Sequence, residues 1–277
     1  MRAESIDTGG RGTSTEARRA ADHSPYLVER LLGANEENLF NHVKFHLVKQ
    51  ELDRLPFPKP KVLDVGCGVQ ASRHYLRRLG FTGEYFGIDY EDRFEPGAVV
   101  DLMNPEGISE NIPWEPDVVL MLDVLEHLYE DPAKLIKLLG SLRSLVGDSC
   151  TFIFTLPQMY RLDRFKLAHL VYPEHKIRLT QREWRSVLEA HFDVVRVQGL
   201  GYLSSMPYLP MASRHYTDDN FLGKTFGYLR SRFFEWPAFK PADLWLSNTL
   251  GKTAVFQTIS NDVMFVAKPS RAVVTSR

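Results

Sequence analysis

Four aspartates end or follow short apolar runs in the first half of the chain, where they could hold a polar ligand. They are Asp64 in VLDVGCG, Asp89 in GIDY, Asp101 in VVDL and Asp123 in LMLDVLEHL. Each run is typical of a buried strand, and ligands of open parallel sheets bind outside the carboxyl ends of the strands. We therefore expect the four carboxylates to share one crevice, where they would accept hydrogen bonds from hydroxyl and amino groups and attract positive charge.

A glycine turn follows the first of these runs and indicates a nucleotide ligand. Gly66, Gly68 and Ala71 satisfy a loose form of the dinucleotide-binding pattern, and Asp89 stands where that pattern has its ribose acid. An NAD-dependent oxidoreductase is therefore one interpretation. Asp64 argues against it, because an acid just before the first glycine repels a pyrophosphate. S-adenosylmethionine fits the acids better, since it has hydroxyls, amino groups and positive charge but no phosphate.

These motifs resemble those of class I S-adenosylmethionine-dependent methyltransferases. The branch they resemble most is the small-molecule one (methyltransferase types 11 and 12), which includes the ubiquinone and menaquinone biosynthesis enzymes. VLDVGCG, GIDY, the Asp of VVDL and DVLEHL occur in the family's order over residues 60–200. The resemblance implies methyl transfer, S-adenosylmethionine as cofactor and a Rossmann-like fold. The chain departs from the family at Gln70, where a third glycine is common.

The resemblance also implies which residues contact the cofactor. Asp64, Gly66 and Gly68 would line its methionine end. Asp89 would accept both ribose hydroxyls, and Asp101 would accept from the adenine amino group. The other expected contacts are Cys67, Tyr90 and Leu102, together with Leu122 and Asp123, which would border the methionine ammonium.

Methyl transfer to a hydroxyl or a protonated amine also requires a group that takes the acceptor's proton. Histidine is the usual choice near neutral pH. His127 in DVLEHL begins the helix after the fourth strand, and His175 in PEHKIRLT precedes the helix after the fifth. Both are expected at the carboxyl edge of the sheet. We predict His127 as the general base and His175 as the second candidate; the alternative for each is a histidine that only packs or caps at a helix start.

The same residues allow a second interpretation. Asp123, Glu126, His127 and His175 are similar to the Glu/Glu/His/His set with which small-RNA 2′-O-methyltransferases hold a divalent metal on a terminal ribose. Two oxygens and two nitrogens could bind such an ion. The first position is Asp rather than Glu, however, and the chain lacks the net basic charge that favours RNA binding. The leading interpretation therefore includes no metal and no nucleic acid.

A third interpretation is a non-catalytic module that keeps the cofactor site and serves as a scaffold for partners. The presence of all four motifs argues against it.

Composition is that of an ordinary globular protein. The 277 residues are 44% hydrophobic and 25% charged, and 34 basic against 35 acidic side chains give a net charge of −1. No overall field therefore draws the chain to nucleic acid or to an anionic membrane. The two cysteines, Cys67 and Cys150, suit a reducing compartment. We find no signal-peptide core and no apolar run that could cross a bilayer, so we expect a cytoplasmic protein.

Apolar runs alternate with amphipathic stretches and predict a doubly wound α/β fold with a seven-stranded, mostly parallel sheet and an antiparallel last strand. The predicted strands are KVLDVG, YFGIDY, AVVDL, DVVLMLD, CTFIFTLP, FDVVRVQGL and DVMFVAKP. Thr180 and Glu183 predict a capping box at the start of the helix before the sixth strand.

Changes in composition predict the domain organisation. A polar tail over residues 1–25 precedes a helical cap over 26–58, and the methyltransferase domain follows over 59–270, with a short tail over 271–277. Residues 201–250 form an aromatic-rich insertion, expected to cover the acceptor pocket together with the helix at 36–50. The alternative is that its aromatic residues form a satellite core or a dimer contact; they are Tyr202, Tyr208, Tyr216, Phe221, Phe226 and Trp236. The expected acceptor is a metabolite such as a sugar, a polyketide or a quinone-like ring, and the oligomeric state stays open.

Overall fold

The structure is a computed structural model that describes residues 25–33, 37–104, 108–158, 174–205 and 236–270. Its strands form one seven-stranded sheet with the order β3-β2-β1-β4-β5-β7-β6. They are β1 Lys61–Val65, β2 Glu84–Asp89, β3 Ala98–Val99, β4 Val118–Leu122, β5 Thr151–Pro157, β6 Phe192–Leu200 and β7 Asp262–Pro269. The first five strands pair in parallel, whereas β7 is antiparallel to both β5 and β6. The predicted fold class and the antiparallel last strand are confirmed.

Helices alternate with these strands. They are α1 Pro25–Leu32, α2 Leu39–Asp53, α3 Ala71–Arg78, α4 Ile108–Asn111, α5 Pro132–Ser144, α6 Gln181–Leu188, α7 Tyr202–Ser205, α8 Phe239–Thr249 and α9 Ala254–Gln257, with 3₁₀ turns at Asp92–Phe94, Leu125–His127 and Leu250–Lys252. The Asp131 side chain caps α5, and a proline suits its first turn. The predicted capping box of α6 is present: Thr180 accepts from the backbone of Glu183, which accepts from the backbone of Thr180.

Apolar side chains cover both faces of the sheet. In β1, Leu63 and its neighbour Val62 belong to different buried clusters, because successive side chains of a strand point to opposite faces. The cluster that contains Leu63 includes side chains of α5 and α6, and Trp184 of α6 is fully buried there. The cluster that contains Val62 includes side chains of α2 and α3. Because helices cover both faces of the sheet, a ligand can reach it only at the ends of the strands.

The helical cap predicted over 26–58 divides between two compact units, Met1–Ala34 and Asn35–Arg277. Helix α1 lies in the first unit. Helix α2 lies in the second, where Val43, Leu47 and Leu52 are buried in the same cluster as strand β1. The boundary predicted near residue 58 therefore separates segments that share one core.

The described part of the predicted insertion consists of α7 and α8. The buried carboxylate of Asp243 on α8 accepts from the backbone N–H groups of Tyr202, Leu203 and Ser204 at 2.7–3.1 Å. These bonds satisfy donors at the start of α7 and hold the two helices together. Helix α8 also packs against α2 and β6. Within the described ranges, no helix is long and apolar enough to cross a membrane.

Several sequence predictions lie outside the described residues. They concern residues 1–24 of the first predicted tail, the whole second tail at 271–277, and the segment 206–235 with Tyr208, Tyr216, Phe221 and Phe226.

Candidate active site

The glycine turn joins β1 to α3 at the carboxyl edge of the sheet. Gly66 and Gly68 have φ angles of 76° and 50°, in the left-handed region that favours glycine. The backbone N–H of Gly66 donates to the carbonyl of Ile88 at 2.8 Å, which fixes the turn to the end of β2. A Cβ on Gly66 would lie 2.7 Å from Cγ2 of Val124, so the turn packs directly against the end of β4.

Gln70, which replaces the family's third glycine, also has a positive φ, at 57°. Its side-chain amide donates to the backbone carbonyls of Phe94, at 3.2 Å, and Glu95. These two bonds to the loop after β2 stabilise a strained position that glycine would take more readily.

Asp89 ends β2 and faces the glycine turn. Its Oδ2 accepts from the backbone N–H of Gly68 at 2.8 Å, and its Oδ1 accepts from that of Glu91 at 3.2 Å. Burial raises the pKa of Asp89 to about 6, and the backbone hydrogen bonds oppose that rise. A carboxylate has about four acceptor sites, so two hydroxyl donors could still bind it.

Asp64 lies deeper than Asp89. Its Oδ2 accepts from the hydroxyls of Tyr85, at 2.5 Å, and Ser72 on α3. Burial raises the pKa of Asp64, whereas these hydroxyls lower it. Cys67 is buried in the turn beside β2, and burial raises the pKa of its thiol, so it is a packing group rather than a nucleophile.

Three other expected cofactor contacts lie further along this edge. The carboxylate of Asp101 accepts from the backbone of Met103 and the side chain of Asn104, each at 2.9 Å, and so organises its own turn. Leu102 is buried in the core cluster on the α5 side of the sheet. Burial raises the pKa of Tyr90 to about 12, with contributions from neighbouring acids that include Asp89 and Glu174.

Leu122 and Asp123 end β4. Asp123 has a φ of 58°, which turns the chain sharply toward the following 3₁₀ helix. Its Oδ1 accepts from the hydroxyl of Thr155 at 2.6 Å, and its Oδ2 accepts from Nζ of Lys44 at 2.7 Å. Leu122 is half-buried and packs against the cluster that contains α2.

Glu126, His127 and His175 form a second polar cluster. Nε2 of His127 lies 3.7 Å from Oε1 of Glu126, and Nε2 of His175 lies 4.0 Å from the same oxygen. The two imidazole rings meet edge to face, with their centroids 4.9 Å apart. The structure therefore brings together the two histidines that the sequence analysis selected.

Backbone contacts bring His175 to this place. The carbonyl of Glu126 accepts from the N–H groups of Lys176 at 2.7 Å and Ile177 at 3.3 Å. In addition, Nδ1 of His127 lies 2.8 Å from the carbonyl of Glu174. The loop before α6 is thereby attached to the 3₁₀ helix after β4.

Val124 connects this cluster to the glycine turn. Val124, whose side chain packs against Gly66, accepts from the backbone N–H of His127 at 3.1 Å. One residue therefore contacts both the turn expected to hold the cofactor and the residue expected to receive the acceptor's proton.

Comparison with protein families matches residues 40–197 to the family described as Methyltransferase domain. The chain belongs to this family. It is an enzyme, a class I S-adenosylmethionine-dependent methyltransferase, and the family predicted from the motifs is confirmed. The oxidoreductase and scaffold interpretations are therefore wrong.

Solved structures similar to this methyltransferase include an S-adenosylmethionine-dependent methyltransferase from Archaeoglobus fulgidus. It has 18% identity and a TM-score of 0.49, with 88% of this chain and 100% of that chain covered. A putative sarcosine dimethylglycine methyltransferase from Galdieria sulphuraria has 16% identity and a TM-score of 0.48, with 82% and 85% covered. The cyclopropane synthase MmaA2 from Mycobacterium tuberculosis has 12% identity and a TM-score of 0.46, with 82% and 84% covered. Comparison with curated proteins gave no match.

The residues at the glycine turn fit S-adenosylmethionine. The buried carboxylate of Asp89 accepts from the backbone of Gly68 and Glu91 and has acceptor capacity left for the ribose hydroxyls. Acids line the turn, and of the neighbouring cations Lys44 is paired with Asp123 while Arg73 on α3 donates to the side-chain oxygen of Gln70. This arrangement suits a cationic cofactor better than a pyrophosphate.

The groups that surround Asp123 were not predicted from the sequence. Lys44 comes from α2, and Asp262 is the first residue of β7. Asp262 pairs with Pro157 in the sheet register, so the antiparallel direction of β7 places its first residue at the carboxyl edge. The antiparallel direction of the last strand was predicted from the sequence, and it could have located Asp262 at this edge. Lys44 had no comparable signal, because a lysine on an amphipathic helix is usually exposed.

Proposed function

We propose that this methyltransferase transfers a methyl group to a hydroxyl of a small-molecule metabolite bound beside Glu126, His127 and His175. The observation that carries the proposal is the proximity of these three side chains to one another and, through Val124, to the glycine turn. When bound, S-adenosylmethionine supplies a methyl group that its sulfonium already activates. The protein must then align the acceptor and allow its proton to leave.

The hydrogen bond from His127 to Glu174 supports a role for the histidine in proton removal. A carbonyl only accepts, so Nδ1 of His127 carries a hydrogen, and in the neutral imidazole the lone pair is then on Nε2, which lies 3.7 Å from Oε1 of Glu126. The side chains of His127 and His175 are 19% and 18% exposed, which leaves them accessible to an acceptor. His127 is our first candidate for the proton acceptor and His175 the second.

Packing of α8 against α2 supports a pocket covered jointly by the insertion and the helix before the domain. Of the aromatic residues expected to line it, Tyr202 is buried and donates to the carbonyl of Phe256, which makes it a packing residue. Trp236 is 57% exposed and could contact a ligand. We propose a sugar, a polyketide or a quinone-like ring as acceptor, and no nucleic acid, because the chain has no net basic charge.

We also propose a cytoplasmic location. Cys67 and Cys150 are both buried free thiols, which suits a reducing compartment.

An acceptor panel tests this function. Purified enzyme is incubated with S-adenosylmethionine and sugars, phenols, polyketides, amines or short RNAs, and the demethylated cofactor is quantified. The methylated product is then identified by NMR. An O-methylated metabolite supports the proposal, whereas turnover confined to amines, to carbon acceptors or to RNA contradicts it.

A histidine variant tests the assigned residue in the same assay. His127→Ala should lower turnover by about 10²- to 10⁴-fold, the usual contribution of a general base, and change cofactor affinity only a few-fold. His74→Ala is the matched control, because His74 is an exposed histidine on α3. Equal turnover in the two variants would remove His127 from the mechanism.

A further inference from the structure

The carboxyl group of Glu126 is completely buried, and within the described residues neither of its oxygens has a hydrogen-bond partner. Burying a polar group without a partner costs about 1–3 kcal/mol, and more for a charged one. Burial, with the nearby charge of Asp123 as the second cause, raises the pKa of Glu126 well above its usual range. A buried polar group of this kind requires an explanation, and a missing ligand is one.

The nearest polar atoms are arranged as ligands of a single ion. Nε2 of His127 and Nε2 of His175 lie 3.7 and 4.0 Å from Oε1 of Glu126, too far for hydrogen bonds. One donor atom from each of the three residues lies within 4.8 Å of the others. Nitrogen and oxygen ligands about 2.0–2.2 Å from a shared metal ion lie about 3–4 Å apart, so small side-chain movements would complete the set.

The backbone prepares His127 for this role. Its Nδ1 donates to the carbonyl of Glu174, which orients the ring with Nε2 3.7 Å from Oε1 of Glu126. Histidines that bind metals almost always donate their other ring nitrogen to such an acceptor. His175 directly follows Glu174 in the chain, so the same loop positions the carbonyl that orients His127 and the third ligand.

Asp123 is excluded from the set by its own contacts. Its two oxygens are bound to Lys44 and Thr155, at 2.7 and 2.6 Å. The set is therefore two imidazoles and one carboxylate. These ligands favour a divalent transition metal such as Zn²⁺, Co²⁺ or Fe²⁺ over Mg²⁺ or Ca²⁺, which prefer oxygen.

We propose that Glu126, His127 and His175 bind one divalent transition-metal ion, whose remaining coordination positions take water and the acceptor's hydroxyl oxygen. The methyl-transfer role of this site rests on the function proposed above. A cation there would neutralise Glu126 and lower the pKa of the bound hydroxyl. The hydroxyl proton would pass to solvent, and the oxygen would form its bond to the methyl carbon as the carbon–sulfur bond breaks, with the electron pair remaining on sulfur. If the site holds the ion, the histidines are its ligands, and this role replaces the general-base role proposed above for His127; the transfer of a methyl group to a hydroxyl is unchanged.

Metal binding is tested on the full-length, untagged chain after treatment with a chelator. Zn²⁺ is titrated by equilibrium dialysis, and Co²⁺ is added separately for its visible spectrum. Wild type should bind one ion per chain, and the Co²⁺ complex should show ligand-field bands without the thiolate charge-transfer band that Cys67 or Cys150 would cause. Absence of binding, or a thiolate spectrum, would overturn the proposal.

Variants assign the ligands. Glu126→Gln keeps the shape of the side chain, and His175→Ala removes the third ligand; each should weaken Zn²⁺ binding by at least about tenfold. His74→Ala should bind as wild type does. Thermal melting and calorimetry with S-adenosylmethionine establish that each variant is folded. Folded Glu126→Gln and His175→Ala with wild-type Zn²⁺ affinity would contradict the assignment even if the wild type binds an ion.

The acceptor assay separates this inference from the proposed function. The inference predicts that chelator-treated enzyme loses O-methylation and regains it with Zn²⁺ or Co²⁺. Full O-methylation by enzyme without metal would overturn the metal site while leaving the proposed function intact. One bound ion per chain with no O-methylated product would overturn the proposed function while leaving the site intact.

Discussion

Nζ of Lys44, on α2, lies 2.7 Å from Oδ2 of Asp123, at the end of β4. The ion pair connects the helix that precedes the sheet to the edge expected to hold the cofactor. Burial raises the pKa of Asp123, but the charge and hydrogen bond of Lys44, with further bonds from Thr155 and Asp262, bring it below its usual value. Burial and the charge of Asp123 raise the pKa of Asp262 well above its usual range. Of these two carboxyl groups, Asp123 is therefore the stronger acid and Asp262 the weaker.

Replacement of Lys44 should destabilise the fold strongly. Lys44→Met keeps most of the apolar stem but leaves Asp123, whose side chain is 25% exposed, without its cation, so the cost should lie between the about 1 kcal/mol of a surface pair and the about 3–5 kcal/mol of a fully buried one. The free energy of unfolding, measured by urea denaturation, should fall by that amount. The double variant Lys44→Met/Asp123→Asn should recover part of the loss, because no charge is then buried alone.

Lys49→Met is the matched control for this prediction. Lys49 is on the same helix and pairs with Asp53, but that carboxylate is 61% exposed. A surface pair on one helix contributes less than about 1 kcal/mol. Equal losses in Lys44→Met and Lys49→Met would contradict a structural role for the buried pair.

Gly66→Ala should disrupt the cofactor turn. Gly66 has a φ of 76°, and an added Cβ would lie 2.7 Å from the Val124 side chain at the end of β4. The new methyl must displace either the turn or Val124, so the affinity for S-adenosylmethionine, measured by calorimetry, should fall by at least about tenfold, equal to about 1.4 kcal/mol.

Gly80→Ala separates the steric clash from backbone strain. Gly80 has a similar φ of 81°, but no atom lies within 4 Å of the position its Cβ would take. Gly80→Ala should lower the free energy of unfolding by about 1 kcal/mol, as alanine does in this region, with cofactor affinity unchanged. If both variants bind the cofactor as wild type does, close packing of Gly66 on Val124 is irrelevant to binding.

The sheet could be predicted because its sequence signals are local. Each strand is an apolar run bounded by a turn, and the Thr180 capping box marks the start of α6 within four residues. The glycine turn was predictable for the same reason, since Gly66 and Gly68 lie next to the strand they follow. Residues 254–257 form the short helix α9, which the sequence analysis did not predict. One turn of helix is too short to show a periodic pattern.

The site was only partly predictable, because its remaining contacts join residues far apart in the chain. Lys44 and Asp123 are separated by 79 positions, and Glu51 of α2 pairs with Arg196 of β6 across 145. In the sequence, Lys44 and Glu51 have the spacing of charged residues on an exposed helix face, so neither pairing could be predicted. Glu126 was noticed in its motif, but the absence of a hydrogen-bond partner among the described residues depends on packing and could not be read from the sequence.

Asp89→Asn should stabilise the protein without cofactor at neutral pH while weakening cofactor binding. Burial raises the pKa of Asp89 from an ordinary value of 3.8 to about 6. Below pH 3.8 both the folded and the unfolded chain hold the proton on Asp89, so the raised pKa does not change the free energy of unfolding. As the pH rises between the two values, the unfolded chain releases the proton first and gains stability relative to the folded one. Above the upper value the penalty is constant, at about 3 kcal/mol.

The variant removes that penalty, because an asparagine is never charged and its carbonyl can still accept from the backbone of Gly68. Urea denaturation from pH 4 to pH 8 should therefore show equal stabilities at the acid end and a more stable variant above about pH 6, by up to about 3 kcal/mol. Calorimetry should show S-adenosylmethionine bound at least about tenfold more weakly, since a neutral amide replaces a charged acceptor of two hydroxyls. Asp148→Asn changes a carboxylate that is 62% exposed and serves as the control. A stability difference for Asp89→Asn that does not vary with pH would show that this carboxylate is not the buried group described here.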